Sequence, residues 1–198
     1  MKVPLGSELV TTRGRARLNG VKLSTTVLVG ASRLEWALGE EPWHERDWEN
    51  MPGYWQLARR IRNLLGPGPP SPYLVQREPN LRVHPPGGKS VPWHTDAEFG
   101  HQAEEVNVWV PLMECTDDSQ RLWIKDETGT HPVDVPLGDA FVFNGARVRH
   151  GVIRNRTPVT RYSFDFRLLR RSDCRDEGRV SVLYGVPLRL GDYWRELT

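Results

Sequence analysis

Pro92-Trp93-His94-Thr95-Asp96, taken with Arg149-His150-Gly151 more than fifty residues later, restricts what this chain can fold into. In an extended backbone, residues i and i+2 project to one face, so the His94 imidazole and the Asp96 carboxylate converge on a point. His150 follows a strand-like run, Asp139-Ala140-Phe141-Val142-Phe143. A fold that returns it to the first pair makes a site of two neutral imidazoles and one carboxylate. That donor set leaves three adjacent positions open on the ion and suits non-haem Fe(II). A His-x-Asp pair arises often by chance, so its weight depends on what else stands in register.

A second strand stands in register. Thr160-Arg161-Tyr162-Ser163-Phe164-Asp165-Phe166-Arg167 alternates without a break, with Tyr162, Phe164 and Phe166 on one face and Arg161, Ser163, Asp165 and Arg167 on the other. A guanidinium and a hydroxyl on one side of a strand make a clamp for a carboxylate. The charges agree with this. Fe(II) on one aspartate and two neutral histidines keeps a formal charge of about +1. A dianionic co-substrate overcompensates it and calls for a second cation at its far end. The triad, followed eleven residues after His150 by Arg161 and then by Ser163, resembles the Fe(II)/2-oxoglutarate-dependent dioxygenases. The resemblance implies Fe(II) held by His94, Asp96 and His150, with 2-oxoglutarate and O2 as co-substrates. It places Arg161 and Ser163 on the far carboxylate of 2-oxoglutarate.

A finer resemblance runs through Trp93-His94-Thr95-Asp96, Phe99-Gly100-His101, Glu105-Val106-Asn107-Val108-Trp109-Val110-Pro111-Leu112, Phe143-Asn144-Gly145 and the Arg161 strand. These segments are similar to the StrG-like proteins of streptomycin biosynthesis, near the phytanoyl-CoA dioxygenase-like enzymes. The similarity covers about residues 80 to 170. It implies a double-stranded β-helix (jelly roll, cupin-like) and a small polar metabolite or natural-product intermediate as substrate. Hydroxylation is the default outcome; desaturation, ring closure and epimerisation begin from the same hydrogen abstraction. Two other readings stand beside it. Arg161 and Arg167 resemble the paired arginines of AlkB-type nucleic-acid demethylases, but Arg161 lies closer to His150 than in that pattern, and no basic stripe with interleaved aromatics accompanies it. A cupin-like barrel that binds metal or sugar without oxygen chemistry needs neither Arg161 nor Ser163.

The neighbouring strands supply further candidates. Val106, Val108 and Val110 alternate with Asn107 and Trp109, a pairing that suits a pocket with one hydrogen bond and one wall. Asn107 is assigned to the co-substrate and Trp109 to the substrate. Arg82 and His84 share a face of the strand before the metal loop. Arg82 either holds an acidic substrate or pairs with an Asp or Glu; it joins Trp109 and Arg167 as a substrate contact. His101 and His131 are out of register with the triad and are expected in loops.

The rest of the chain reads as mainly β, with a flanking N-terminal hairpin and helix. Residues 8–29 form β structure with a hairpin at Asn19-Gly20, and 33–52 short turns and loop. From Gly53 to Leu65 the apolar residues Tyr54, Leu57, Ala58, Ile61, Leu64 and Leu65 make one helical stripe opposite a solvated arginine face. Gly66-Pro67 stops it and a proline-rich connector leads on. Short strands follow at Tyr73–Arg77, Leu81–His84, Val106–Val110, Leu122–Lys125, Val133–Val135, Ala140–Phe143, Val148–Arg154 and Arg161–Leu169. The tail is expected to give a strand at Val180–Tyr184 and a cover near the barrel mouth. At 198 residues the chain is read as one domain, 1–198: flank 1–72, β-helix core 73–170, cover 171–198. With 27 basic against 25 acidic residues no nucleic-acid partner is expected. Cys115 and Cys174 form no motif, and no apolar run reaches membrane length. The expectation is a reduced, cytoplasmic protein with a small-molecule partner and no membrane partner. The sequence does not specify an oligomeric state.

Overall fold

The ten-residue strand Arg161–Arg170 is the spine of the molecule. The structure is a computed structural model that describes residues 2–3, 52–65, 72–89, 91–182 and 185–198. The hairpin read at 8–29, the turns before the helix and most of the connector lie outside the described residues. In chain order the elements are β1 (Lys2–Val3), α1 (Pro52–Leu64), β2 (Tyr73–Gln76), β3 (Asn80–His84), β4 (Val106–Pro111) and β5 (Leu122–Asp126). They continue as β6 (Gly129–Val133), β7 (Ala140–Phe143), β8 (Arg149–Gly151), β9 (Arg161–Arg170) and β10 (Trp194–Leu197).

On one side β9 pairs with β4, from Val106↔Leu168 to Pro111↔Ser163. On the other it pairs with β3, where His84 lies opposite Arg161, and then with β2. β7 and β1 extend the sheet beyond β4, and β10 extends it beyond β2. β6, β5 and β8 form a second antiparallel sheet, which a backbone bridge between His94 and His150 widens by one segment. The chain thus passes back and forth: β3, β4, β7 and β9 in one sheet, and the His94 segment, β5, β6 and β8 in the other. This is the double-stranded β-helix, or jelly roll.

Alternation decides which side chains go where. Val108, Val110, Ala140, Val142, Phe164, Phe166 and Leu168 leave the large sheet on its outer face and pack against Tyr54, Leu57, Ala58 and Ile61 of α1. All are 5% exposed or less, and each large one contributes about 1.5–3 kcal/mol of burial. Trp109 and Phe141 leave the inner face and meet Leu122, Ile124 and Val133 of the small sheet. Because α1 already covers the outer face of β9, its polar face turns inward, and Arg161, Ser163 and Arg167 are buried between the sheets.

The helix begins at Pro52, where a missing N–H costs nothing. Its arginine face is not merely solvated: Arg59 Nε and Arg62 Nη1 donate to the carbonyls of Thr198 (2.7 Å) and Leu197 (3.0 Å). β6 starts earlier than the expected Val133. Asp126 Oδ1 accepts from Thr128 N at 2.8 Å and closes a tight turn, and Gly129 takes φ 117° so that the strand resumes at once. Pro132 is tolerated because β6 is an edge strand. β8 is shorter than the expected Val148–Arg154. Of the strand expected at Val180–Tyr184, only Val180 makes a bridge among the described residues, to Pro187; residues 183–184 lie outside the described residues. The tail's strand is β10, seated by Leu74, Leu169, Leu188, Tyr193 and Trp194. His131 lies on β6 rather than in a loop. Both cysteines are free, and no described helix is long and apolar enough to cross a membrane.

Candidate active site

The backbone bridge sets His94 beside His150, with N–H···O distances of 3.0 and 2.9 Å and ring centroids 4.4 Å apart. Gly151 permits the approach, since a Cβ there would lie 3.1 Å from Pro92 O and from Trp93 Cα. Each ring is held in the same way. His94 Nδ1 is 2.8 Å from the Pro92 carbonyl and His150 Nδ1 is 2.9 Å from the Val148 carbonyl. A carbonyl only accepts, so Nδ1 carries the proton and Nε2 keeps its lone pair. Burial holds His150 below its ordinary pKa and favours this neutral form.

Asp96 opens the short 3₁₀ turn Asp96–Phe99, and its N–H donates to Gly145 O at 2.8 Å. Its two oxygens have opposite surroundings. Oδ2 accepts from Asn107 Nδ2 (2.6 Å) and from Arg167 Nε (2.9 Å) and Nη2 (2.8 Å). Oδ1 is buried with no hydrogen-bond donor among the described residues. It faces His94 Nε2 at 3.3 Å and His150 Nε2 at 3.6 Å, and neither atom has a proton to give. Burial works against ionisation of Asp96, but the Arg167 guanidinium, with Asn107 donating to the same oxygen, outweighs it and holds the carboxyl well below the usual carboxylate range. Three Lewis bases within 4.8 Å of one another, none able to donate to the next, repel unless a cation stands between them. The donor set fits a divalent metal of the iron type.

The second layer corrects two expectations. Asn107 and Arg167, assigned to co-substrate and substrate, are instead directed at Asp96 Oδ2. They are cross-strand partners on β4 and β9 and reach the same oxygen. Arg167 Nη1 also donates to Tyr193 Oη at 2.9 Å and to Gln76 Oε1 at 3.3 Å. Glu105, 3.8 Å from Arg167 Nε, accepts from His101 Nδ1 at 2.8 Å; His101 lies in a loop, as expected, and is buried there. Gly145 lies against this cluster. A Cβ there would lie 2.4 Å from Asn107 Nδ2 and 2.7 Å from Asp96 Oδ2. Gly145→Ala is therefore expected to lower folding stability by about 1–3 kcal/mol, the usual cost of overpacking. Urea unfolding of the metal-free protein measures this, and an unchanged midpoint would contradict the packing argument.

At the other end of the cavity lies Arg161, 1% exposed. Its Nη1 donates to Ser163 Oγ, its Nη2 is 3.4 Å from His84 Nδ1, and its Cζ sits 5.8 Å over the Trp109 ring. Nε is buried without a partner, and no carboxylate pairs with the guanidinium among the described residues. Burial brings its pKa down to about 10, still high enough to keep the charge. Trp109 is thus a wall of the Arg161 end. Arg82 takes the pairing alternative, with Nε 2.6 Å from Asp165 Oδ1, while Asn80 Nδ2 donates to Asp165 Oδ2 at 2.8 Å. The cavity is completed by Val91, Leu122, Phe143 and Val152. His84, Glu105, Gly145, Gln76 and Tyr193 were given no role from the sequence. His84 appears there through its shared face with Arg82, and Glu105 and Gly145 only as members of the StrG-like segments.

No protein-family model matches the sequence. The chain is 37% identical over 198 residues to the streptomycin biosynthesis protein StrG of Streptomyces griseus, across 98% of this chain and 92% of StrG. Among solved structures, the non-haem α-ketoglutarate-dependent epimerase SnoN from nogalamycin biosynthesis matches with TM-score 0.64 at 17% identity, over 100% of this chain and 93% of SnoN. HygX from Streptomyces hygroscopicus, solved with nickel and 2-oxoglutarate bound, matches with TM-score 0.56 at 15% identity, over 77% of this chain and 81% of HygX. The structural matches speak to fold and the StrG match to descent. This chain belongs to the StrG family and is built on the fold of the 2-oxoglutarate-dependent non-haem oxygenases.

Proposed function

We propose that this protein is a 2-oxoglutarate-dependent non-haem iron oxygenase that oxidises a small polar metabolite or natural-product intermediate. The observation that carries the reading is a pair of groups in one cavity left unsatisfied among the described residues. The undonated Asp96 Oδ1 faces two imidazole lone pairs at one end, and the carboxylate-free Arg161 guanidinium stands at the other. His94, Asp96 and His150 would hold Fe(II). Asp96 would bind through Oδ1 alone, because its Oδ2 is saturated by Asn107 and Arg167. Arg161 and Ser163 would take the far carboxylate of 2-oxoglutarate. When bound, the iron supplies activation of O2 coupled to decarboxylation of 2-oxoglutarate.

The chain's own residues do the positioning. The carbonyls of Pro92 and Val148 fix the imidazole tautomers, and Arg167 and Asn107 fix the carboxylate. Leu122, Phe143 and Val152 would give the space between metal and clamp an apolar lining. StrG's place in streptomycin biosynthesis supports a natural-product intermediate as substrate. Hydroxylation is the outcome we favour. Epimerisation is the second, because SnoN, which matches along the whole chain, is described as an epimerase.

The test is anaerobic titration of 2-oxoglutarate into Fe(II)-loaded protein, then oxygen exposure with candidate metabolites. Expected are saturable binding, succinate formation, and a substrate mass increase of one oxygen, or no mass change with inverted configuration. A barrel that binds metal without oxygen chemistry shows no specific 2-oxoglutarate binding, and that result would overturn the proposal.

A further inference from the structure

β3 ends at His84, which lies directly opposite Arg161 on β9 and is completely buried. Its ring is held from both sides. Nε2 is 3.0 Å from the Gly88 carbonyl, with the Ile153 carbonyl also beside the ring. Nδ1 is 3.4 Å from Arg161 Nη2. A guanidinium only donates and a carbonyl only accepts. The tautomer that satisfies both carries its proton on Nε2 and offers its Nδ1 lone pair to the arginine. The loop carrying Gly88 is itself tied down: Asn155 N donates to Gly88 O at 3.0 Å, and Asn155 Nδ2 donates to His84 O at 2.9 Å.

The choice of partner has a physical consequence. A carboxylate at this position would orient Arg161 and also neutralise it, leaving little attraction for an incoming anion. A neutral imidazole gives direction without cancelling charge. Arg161's other hydrogen-bond partner among the described residues, Ser163 Oγ, is likewise neutral, as is the Trp109 ring beneath it. The guanidinium is therefore held at two nitrogens while its full charge stays directed at the cavity.

We propose that His84 is a positioning residue for Arg161, setting the affinity of the site for the distal carboxylate of a dicarboxylate co-substrate. The nature of that co-substrate rests on the function proposed above.

Two variants separate the two sides of the ring. In His84→Gln the longer amide keeps a donor for Gly88 but has no acceptor where Nδ1 stood. In His84→Asn the amide oxygen falls near the Nδ1 position. The probes are 2-oxoglutarate titrated calorimetrically into Ni(II)-loaded protein, glutarate titrated into metal-free protein, and Ni(II) affinity itself. Glutarate has both carboxylates but no keto group, so it reports the clamp without the metal. Arg161→Ala is run alongside.

Expected for His84→Gln is a roughly tenfold weaker 2-oxoglutarate affinity, as for one lost hydrogen bond to a charged group, with parallel weakening of glutarate and unchanged Ni(II) affinity. His84→Asn recovers most of the loss. In turnover, KM for 2-oxoglutarate rises while kcat at saturation holds. If His84→Gln binds 2-oxoglutarate like the parent while Arg161→Ala does not, the role of His84 is refuted and the clamp stands. If Arg161→Ala also binds like the parent, the clamp reading falls and the role of His84 with it. A matching loss of Ni(II) affinity in His84→Gln would mark a general structural role and overturn the proposal too.

Discussion

His94→Ala and His150→Ala are each expected to abolish turnover and to weaken Fe(II) binding by roughly 100-fold. The magnitude follows from the energy of metal sites. Four-ligand structural zinc sites bind with about 10–16 kcal/mol, so one ligand accounts for on the order of 3 kcal/mol, or about two decades in affinity. Each histidine is anchored through a single Nδ1–H bond to a carbonyl, so its removal leaves the β-helix intact. Asp96→Ala is a less clean test. It deprives Arg167 Nε and Nη2 and Asn107 Nδ2 of their acceptor, and breaking a buried ion pair on one side costs about 3–5 kcal/mol of folding stability. Anaerobic titration of Fe(II) or Co(II) into the two histidine variants checks the expectation, with thermal melting as the control for folding. Parental metal affinity in both would refute the metal assignment.

Arg161→Ala is expected to raise the dissociation constant of 2-oxoglutarate by roughly 30-fold or more. A desolvated guanidinium–carboxylate pair loses about 2–5 kcal/mol when one partner is removed, and the lower end of that range already corresponds to about 30-fold. Arg161→Lys does less damage without restoring affinity, because an ammonium lacks the planar fork. Ser163→Ala costs about 1 kcal/mol as one neutral hydrogen bond. Metal affinity is expected to be unchanged in all three. Arg167→Ala has the opposite signature. It removes two donors from Asp96 Oδ2, so metal affinity falls about 10–100-fold, as for other outer partners of metal ligands. Two arginines on one face of one strand are thereby told apart by which titration they disturb. If Arg161→Ala binds 2-oxoglutarate as tightly as the parent, and Arg167→Ala loses it while keeping the metal, their roles are reversed.

What the sequence determined by itself was which way side chains face. The unbroken alternation of Arg161 to Arg167 requires a strand with an aromatic and a polar face. The alternation of Val106 to Val110 requires the same on β4, and the stripe from Tyr54 to Leu64 requires a helix with one buried side. These are properties of single segments, set by backbone periods of 2 and 3.6 residues. The His-x-Asp spacing belongs with them, because it needs only a locally extended chain. Which polar group meets which partner was decided by the tertiary structure. Arg161 and Arg167 look alike along the chain, with the same face and the same chemistry. Cross-strand register separates them, placing Asn107 opposite Arg167 and His84 opposite Arg161. One arginine thereby falls beside a carboxylate and the other beside a neutral imidazole. Gly145 under Asp96, Tyr193 on Arg167 and Glu105 beside it arrive from loops and from the tail, with no periodic signal to announce them. A pattern within one strand records a face. Depth and partner depend on how strands far apart in sequence are aligned, and only the packed sheet contains that information.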